Sequence, residues 1–119
     1  MQSAAVSQLS YDPAYTEKVR ELALDKETPK EVTTAALPGL AATDKTFLDY
    51  GPALAQDSSV ANEVRMQAIE STVQFTMTNN TPSSKVLEFA PALSEAATEL
   101  KSGKAILSVQ GLKQNYGIQ

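Results

Sequence analysis

The groups that could do chemistry in this chain are few in kind. Fourteen Asp and Glu and ten Lys and Arg residues are present, with no cysteine and no histidine. Thiol nucleophiles, disulfides, thiolate or imidazole metal sites and histidine-based dyads are therefore excluded. What remains is carboxylate chemistry: an acid–base pair across a cleft, or a hard cation held by oxygens. Asp25, Asp44, Asp49 and Asp57 are too scattered to write the D-x-D-x-D-G calcium loop. No spacing marks two carboxylates as an opposed pair. The five glycines stand apart, so no phosphate-cradling loop is written either. The Gly103-Lys104 pair reads instead as a helix stop, because glycine favours the residue after a helix. The expectation is a protein that is not an enzyme and holds no metal or cofactor.

The charge balance narrows the partners. A formal net charge of −4 argues against nucleic acid, where a basic footprint supplies most of the affinity. It also argues against binding anionic membranes through a polybasic patch. No run approaches the roughly 18 apolar residues of a spanning helix. The opening "MQSAAVSQLS" has neither the basic start nor the apolar run of a signal peptide. The composition suits a cytoplasmic and an exported bacterial protein about equally. "NNT" at Asn79–Thr81 fits a glycosylation acceptor, but nothing else points to a eukaryotic secretory chain.

The elements that position these residues read as helices. Hydrophobic residues make up 42% of the 119 residues, enough for one small core. No run alternates cleanly, so strands are not expected. Asp12 and Pro13 open a first helix with Tyr15, Val19 and Leu22 on one face. Thr28, Pro29 and Glu31 write a capping box for a second, striped by Val32, Ala36 and Leu40. Pro38 should kink or end it. A third follows "TDKT" with Phe47, Gly51 and Leu54. A fourth runs from about Asn62 with Val64, Ala68, Ile69 and Val73, until "NNTP". The fifth starts near Pro82 or Ser83 and carries Val86, Ala90, Leu93, Ala97 and Leu100. The sixth carries Ala105, Val109, Leu112 and Tyr116. Residues 1–11 are expected to form a flexible segment, 12–116 one domain, and 117–119 a tail.

Two stretches nearly repeat. "FLDYGPALA" from Phe47 matches "VLEFAPALS" from Val86, and "DKETPKEVTTAAL" from Asp25 matches "DSSVANEVRMQAI" from Asp57. The chain thus divides into helix pairs at roughly 12–42, 44–78 and 82–116. A lone amphipathic pair cannot bury its stripe, whereas about three stacked pairs share a core. "FLDYGPALAQDSSVANEVRMQAIESTV" resembles a HEAT-type repeat through Pro52, Asp57, Val64, Arg65, Ala68 and Ile69. The resemblance covers most of the chain at superfamily level. It departs in the first unit, where Thr33 stands for the usual Arg and the proline is Pro38, and in the third, where Ala96 stands for Asp. It implies an all-α, short α-solenoid of about three antiparallel pairs; an irregular helical bundle is the alternative. The repeated proline is then expected to bend the first helix of each unit in the same way.

The function implied is a non-enzymatic protein–protein interaction or scaffolding module, with another protein as partner. The alternatives are a self-assembling structural protein and, less favoured, a carboxylate enzyme. Tyr50 and Phe89 occupy equivalent places and read as core. The resemblance gives Asp57 and Arg65 turn and inter-repeat contacts. The partner-facing surface expected on the second helices comprises Thr34, Arg65, Glu70, Gln74, Lys104 and Lys113. The sixth helix has more apolar residues than one stripe needs, so Ile106 or Leu107 is expected to meet a second copy or the remainder of a longer chain.

Overall fold

In the computed structural model, which describes residues 3–118, helices are linked by turns, with no strand among those residues. The helices are α1 (Ser3–Ser10), α2 (Thr16–Leu24), α3 (Lys30–Thr43), α4 (Gly51–Gln56), α5 (Asn62–Thr78), α6 (Ser83–Leu100) and α7 (Gly103–Tyr116). Short 3-10 turns at Pro13–Tyr15 and Phe47–Asp49 lead into α2 and α4. Each of α2–α3, α4–α5 and α6–α7 packs as a pair. Helix α3 then lies against α5, α5 against α7, and α4 against α6. Leu37, Leu40, Phe47, Ile69, Leu93 and Leu112 are fully buried along these seams. Phe47 sits edge-on to Tyr50, with ring centres 5.1 Å apart, and stacks on Phe75 at 5.9 Å. Tyr50 and Phe89, expected in the core, are both buried.

Within the segment 1–11, expected to be flexible, Ser3–Ser10 form α1. Its Val6 and Ser10 are buried, and it packs chiefly on α3. The reason lies at Gly39, where a Cβ would overlap Ser10. Glycine on α3 lets a helix of small residues approach closely, and the Thr43 hydroxyl then donates to the Ser10 carbonyl at 3.1 Å. Met1 and Gln2 lie outside the described residues. At the other end the expected tail begins as a helix cap. Gly117 is left-handed (φ 65°), and the Ile118 N–H donates to the Lys113 carbonyl at 2.8 Å. Ile118 packs partly on the core, and Gln119 lies outside the described residues.

Three local expectations also change. The repeated proline does not build the same bent helix twice. Pro52 stands in the first turn of the six-residue α4, where its missing N–H costs nothing, whereas Pro91 lies inside the eighteen-residue α6. What the two copies share is side-chain placement: Phe47 and Val86, then Tyr50 and Phe89, are buried alike. Thr28 does not cap α3; its hydroxyl donates to the Leu22 carbonyl at 2.7 Å, and Pro29 stands at the cap. Gly103 is not a helix stop. Lys101 takes the left-handed conformation that ends α6, and Ser102 caps α7 through the Ala105 N–H, with Gly103 its first residue.

One buried carboxylate joins the first pair to the second. Asp44 ends α3 and is 4% exposed. Its Oδ1 accepts from the Thr46 N–H at 2.9 Å and the Thr46 hydroxyl at 2.7 Å. Its Oδ2 accepts from Arg20 Nη1 of α2 at 3.0 Å and from the Tyr50 hydroxyl, just before α4, at 2.7 Å. Burial pushes the Asp44 pKa up, but the bonds from Thr46, Tyr50 and Arg20 outweigh it and hold the carboxyl below its ordinary value. Burial, reinforced by the Asp44 charge, pushes the Tyr50 hydroxyl far above its own ordinary value.

Two predictions follow from this packing. Gly39→Ala forces α1 off α3 and costs about 1–3 kcal/mol, as overpacking does; a urea titration reads the loss. Asp44, with its folded pKa lowered, stabilises the fold above the ordinary aspartate value of 3.8 and loses that contribution as pH falls through the folded value. Tyr50, with its folded pKa raised, stabilises below the ordinary 10.0 and loses its contribution as pH rises beyond it. Urea midpoints across pH therefore fall at both ends. Asp44→Asn flattens the acid arm and Tyr50→Phe the alkaline arm, the latter costing about 1.5–3 kcal/mol at neutral pH.

Candidate interaction surface

The second helices α3, α5 and α7 lie side by side, and two ion pairs cross their outward edges. Lys30 Nζ of α3 meets Glu63 Oε2 of α5 at 2.9 Å, both half exposed. The Lys30 bond and charge hold the Glu63 carboxyl below its ordinary value. Lys104 Nζ of α7 meets Glu70 Oε1 of α5 at 3.3 Å. Because both pairs are solvated, each is worth little to stability, about 0–1 kcal/mol. Their effect is to keep the face polar.

The six residues expected on this surface separate into two groups. Thr34, Glu70, Gln74 and Lys104 belong to it. The Thr34 hydroxyl turns back onto the Lys30 carbonyl at 2.7 Å, and Gln74 is exposed one turn beyond Glu70. Arg65 does not belong to it: it is 4% exposed. Its Nε donates to the Ala55 carbonyl of α4 at 3.0 Å, and its Nη1 meets Glu99 of α6 at 3.1 Å. A guanidinium with a planar fork of donors is suited to joining two helices in this way. Lys113 also points elsewhere, donating to the Ser94 hydroxyl of α6 at 3.1 Å. The reason for both corrections is position within the helix: these residues stand on the sides of α5 and α7 that turn toward the first helices. Asp57 accepts from the Ser59 N–H at 2.9 Å and from the Ser59 hydroxyl at 2.6 Å, and so holds the turn before α5.

Four residues on or beside this face were not singled out as its members from sequence. Lys30 and Glu63 form the first cross-helix pair, a contact between residues 33 apart that no local spacing reveals. Met77, 39% exposed, lies two turns beyond Glu70. Leu107, one turn beyond Lys104, is 68% exposed, whereas Ile106 packs partly into the core. Of the two apolar residues in surplus on α7, Leu107 is thus the one left to solvent.

Among the described residues there is no group of three or more side chains suited to ligate a metal ion, and no helix long and apolar enough to cross a membrane. Asp44, the buried carboxylate, is closed off by its four hydrogen bonds. No protein-family model, curated protein or solved structure matches this chain.

Proposed function

We propose that the chain is a non-enzymatic protein-interaction module, a short HEAT-like α-solenoid that binds another protein on the face formed by α3, α5 and α7. The observation that carries this is the alignment of three second helices as neighbours, tied by Lys30–Glu63 and Glu70–Lys104. Stacked helix pairs present such a surface as a row of equivalent helices. The turns support the repeat: Asp25 and Asp57, at matching places in the two similar stretches, accept the Glu27 and Ser59 N–H groups at the same 2.9 Å. The polar rim around Met77 and Leu107 suits a reversible contact with modest apolar area.

A second reading, self-assembly through α7, draws on the 68% exposure of Leu107. One experiment separates the two. A photo-crosslinking side chain is placed at Gln74 on the face, and at Glu88, which is exposed on α6. In extract of the producing organism, the binding module crosslinks to a distinct protein from Gln74, and Leu107→Lys reduces the yield without lowering Tm. Crosslinks from Gln74 to a second copy, with Leu107→Lys returning the protein to monomer, favour self-assembly. Crosslinking from Glu88 with none from Gln74 contradicts both.

A further inference from the structure

A cavity of about 360 Å3 lies where the turn ends of the first and second helix pairs meet, within the size range of small-molecule sites. Leu24, Leu54 and Val60 give it apolar walls, with Leu24 45% exposed. Thr33 also lines it and is 6% exposed. Among the described residues the Thr33 hydroxyl reaches only the Pro29 carbonyl, at 3.5 Å, the far limit of a hydrogen bond. A buried hydroxyl with so weak a partner has both donor and acceptor capacity left for something in the cavity.

The charged groups on the lining are not equally free. Lys30 is committed to Glu63, and Asp25, which accepts the Glu27 N–H on Oδ1, is exposed to solvent, whereas Asp57 is half-buried. Lys26, from the first pair, and Asp57, from the second, both line the cavity. Both bonds that Asp57 accepts fall on Oδ1, so Oδ2 is left over. The Ser59 bonds hold the Asp57 carboxyl below its ordinary value, and the Lys26 charge adds to that. Yet neither Lys26 nor Asp57 takes part in an ion pair among the described residues. An ammonium and a half-buried carboxylate oxygen, near each other but not joined in an ion pair among the described residues, therefore border a cavity with both polar and apolar walls.

We propose that this cavity binds a small zwitterion of the α-amino acid class with a branched apolar side chain. Its carboxylate meets Lys26, its ammonium meets Asp57 Oδ2, and its side chain lies among Leu24, Leu54 and Val60. An anion alone leaves Asp57 unmatched and repels it. A cation alone does the same to Lys26, and a purely apolar molecule leaves both charges unused. The site shares Lys30 with the edge of the α3–α5–α7 face, but its proposed contacts are Lys26, Asp57, Leu24, Leu54 and Val60, so it stands or falls without that face.

The test is a titration of the isotope-labelled protein with free L-leucine, followed by NMR. The expected result is a saturable set of shifts centred on the amides of Lys26, Thr33 and Val60. N-acetyl-leucine lacks the ammonium, leucinamide the carboxylate and alanine the branched chain; each binds more weakly than leucine. Lys26→Ala, at an exposed position, weakens leucine binding about tenfold or more, the effect of one hydrogen bond to a charged group, with Tm unchanged. Asp57→Asn, which keeps an acceptor for Ser59, weakens it as well. Three results overturn the proposal: no saturable shifts at the cavity, N-acetyl-leucine binding as well as leucine, or Lys26→Ala binding as the parent does.

Discussion

The arrangement of this protein depends on a carboxylate taken out of water and fully repaid in hydrogen bonds. Asp44 receives four, from a turn, from α2 and from the residue that precedes α4. A buried charge left with fewer partners costs several kcal/mol, so the groups around it must stay in place. That requirement fixes where α2 lies against the end of α3, and where α4 begins. With α4 set, α5 packs across it and meets α3 on one side and α7 on the other. The common face of α3, α5 and α7 is thus a consequence of a seam on the opposite side of the pairs.

Aspartate rather than proline supplies the common punctuation. Asp12, Asp25, Asp44 and Asp57 each accept the N–H two residues on, at 2.9 to 3.0 Å. Such a bond closes a tight turn without requiring a positive φ. Asp44 is the one also drawn into the interior, through Arg20 and Tyr50. The other three hold exposed turns. Arg65 performs the matching task between the second pair and the third, joining the Ala55 carbonyl to Glu99. Two polar side chains, one acidic and one basic, therefore bridge the two seams.

Much of the helical pattern was legible in the sequence, because apolar residues recur at helical spacing and turn residues separate them. Val86, Ala90, Leu93 and Ala97 are buried as their spacing requires. What was not legible depended on residues far apart in the chain. The helix α1 has too few large apolar residues to announce itself, and is held by a glycine 29 positions after Ser10. The two copies of the proline stretch differ in backbone, and Gly51 stands where the second copy has Ala90. A Cβ at Gly51 would lie 2.6 Å from the Phe47 ring and 2.8 Å from the Thr72 hydroxyl. The candidate face was half legible: helical position placed Thr34, Glu70, Gln74 and Lys104 on it. Arg65 and Lys113, expected there by the same reading, instead bond across to α4 and α6, and for Arg65 the resemblance had implied such a contact between repeats. The Asp44 centre had a local trace in "TDKT", where Asp44 and Thr46 write the turn, but Arg20 and Tyr50 gave no local sign of joining it.

The claim that Asp44 secures the seam between the first two pairs is most directly tested by amide hydrogen exchange on the intact protein and on Asp44→Asn. The account predicts that protection falls chiefly in α2, the end of α3 and the turn into α4, while α6 and α7 keep theirs. Protection lost equally in every helix, or unchanged in α2 and α4, would contradict it.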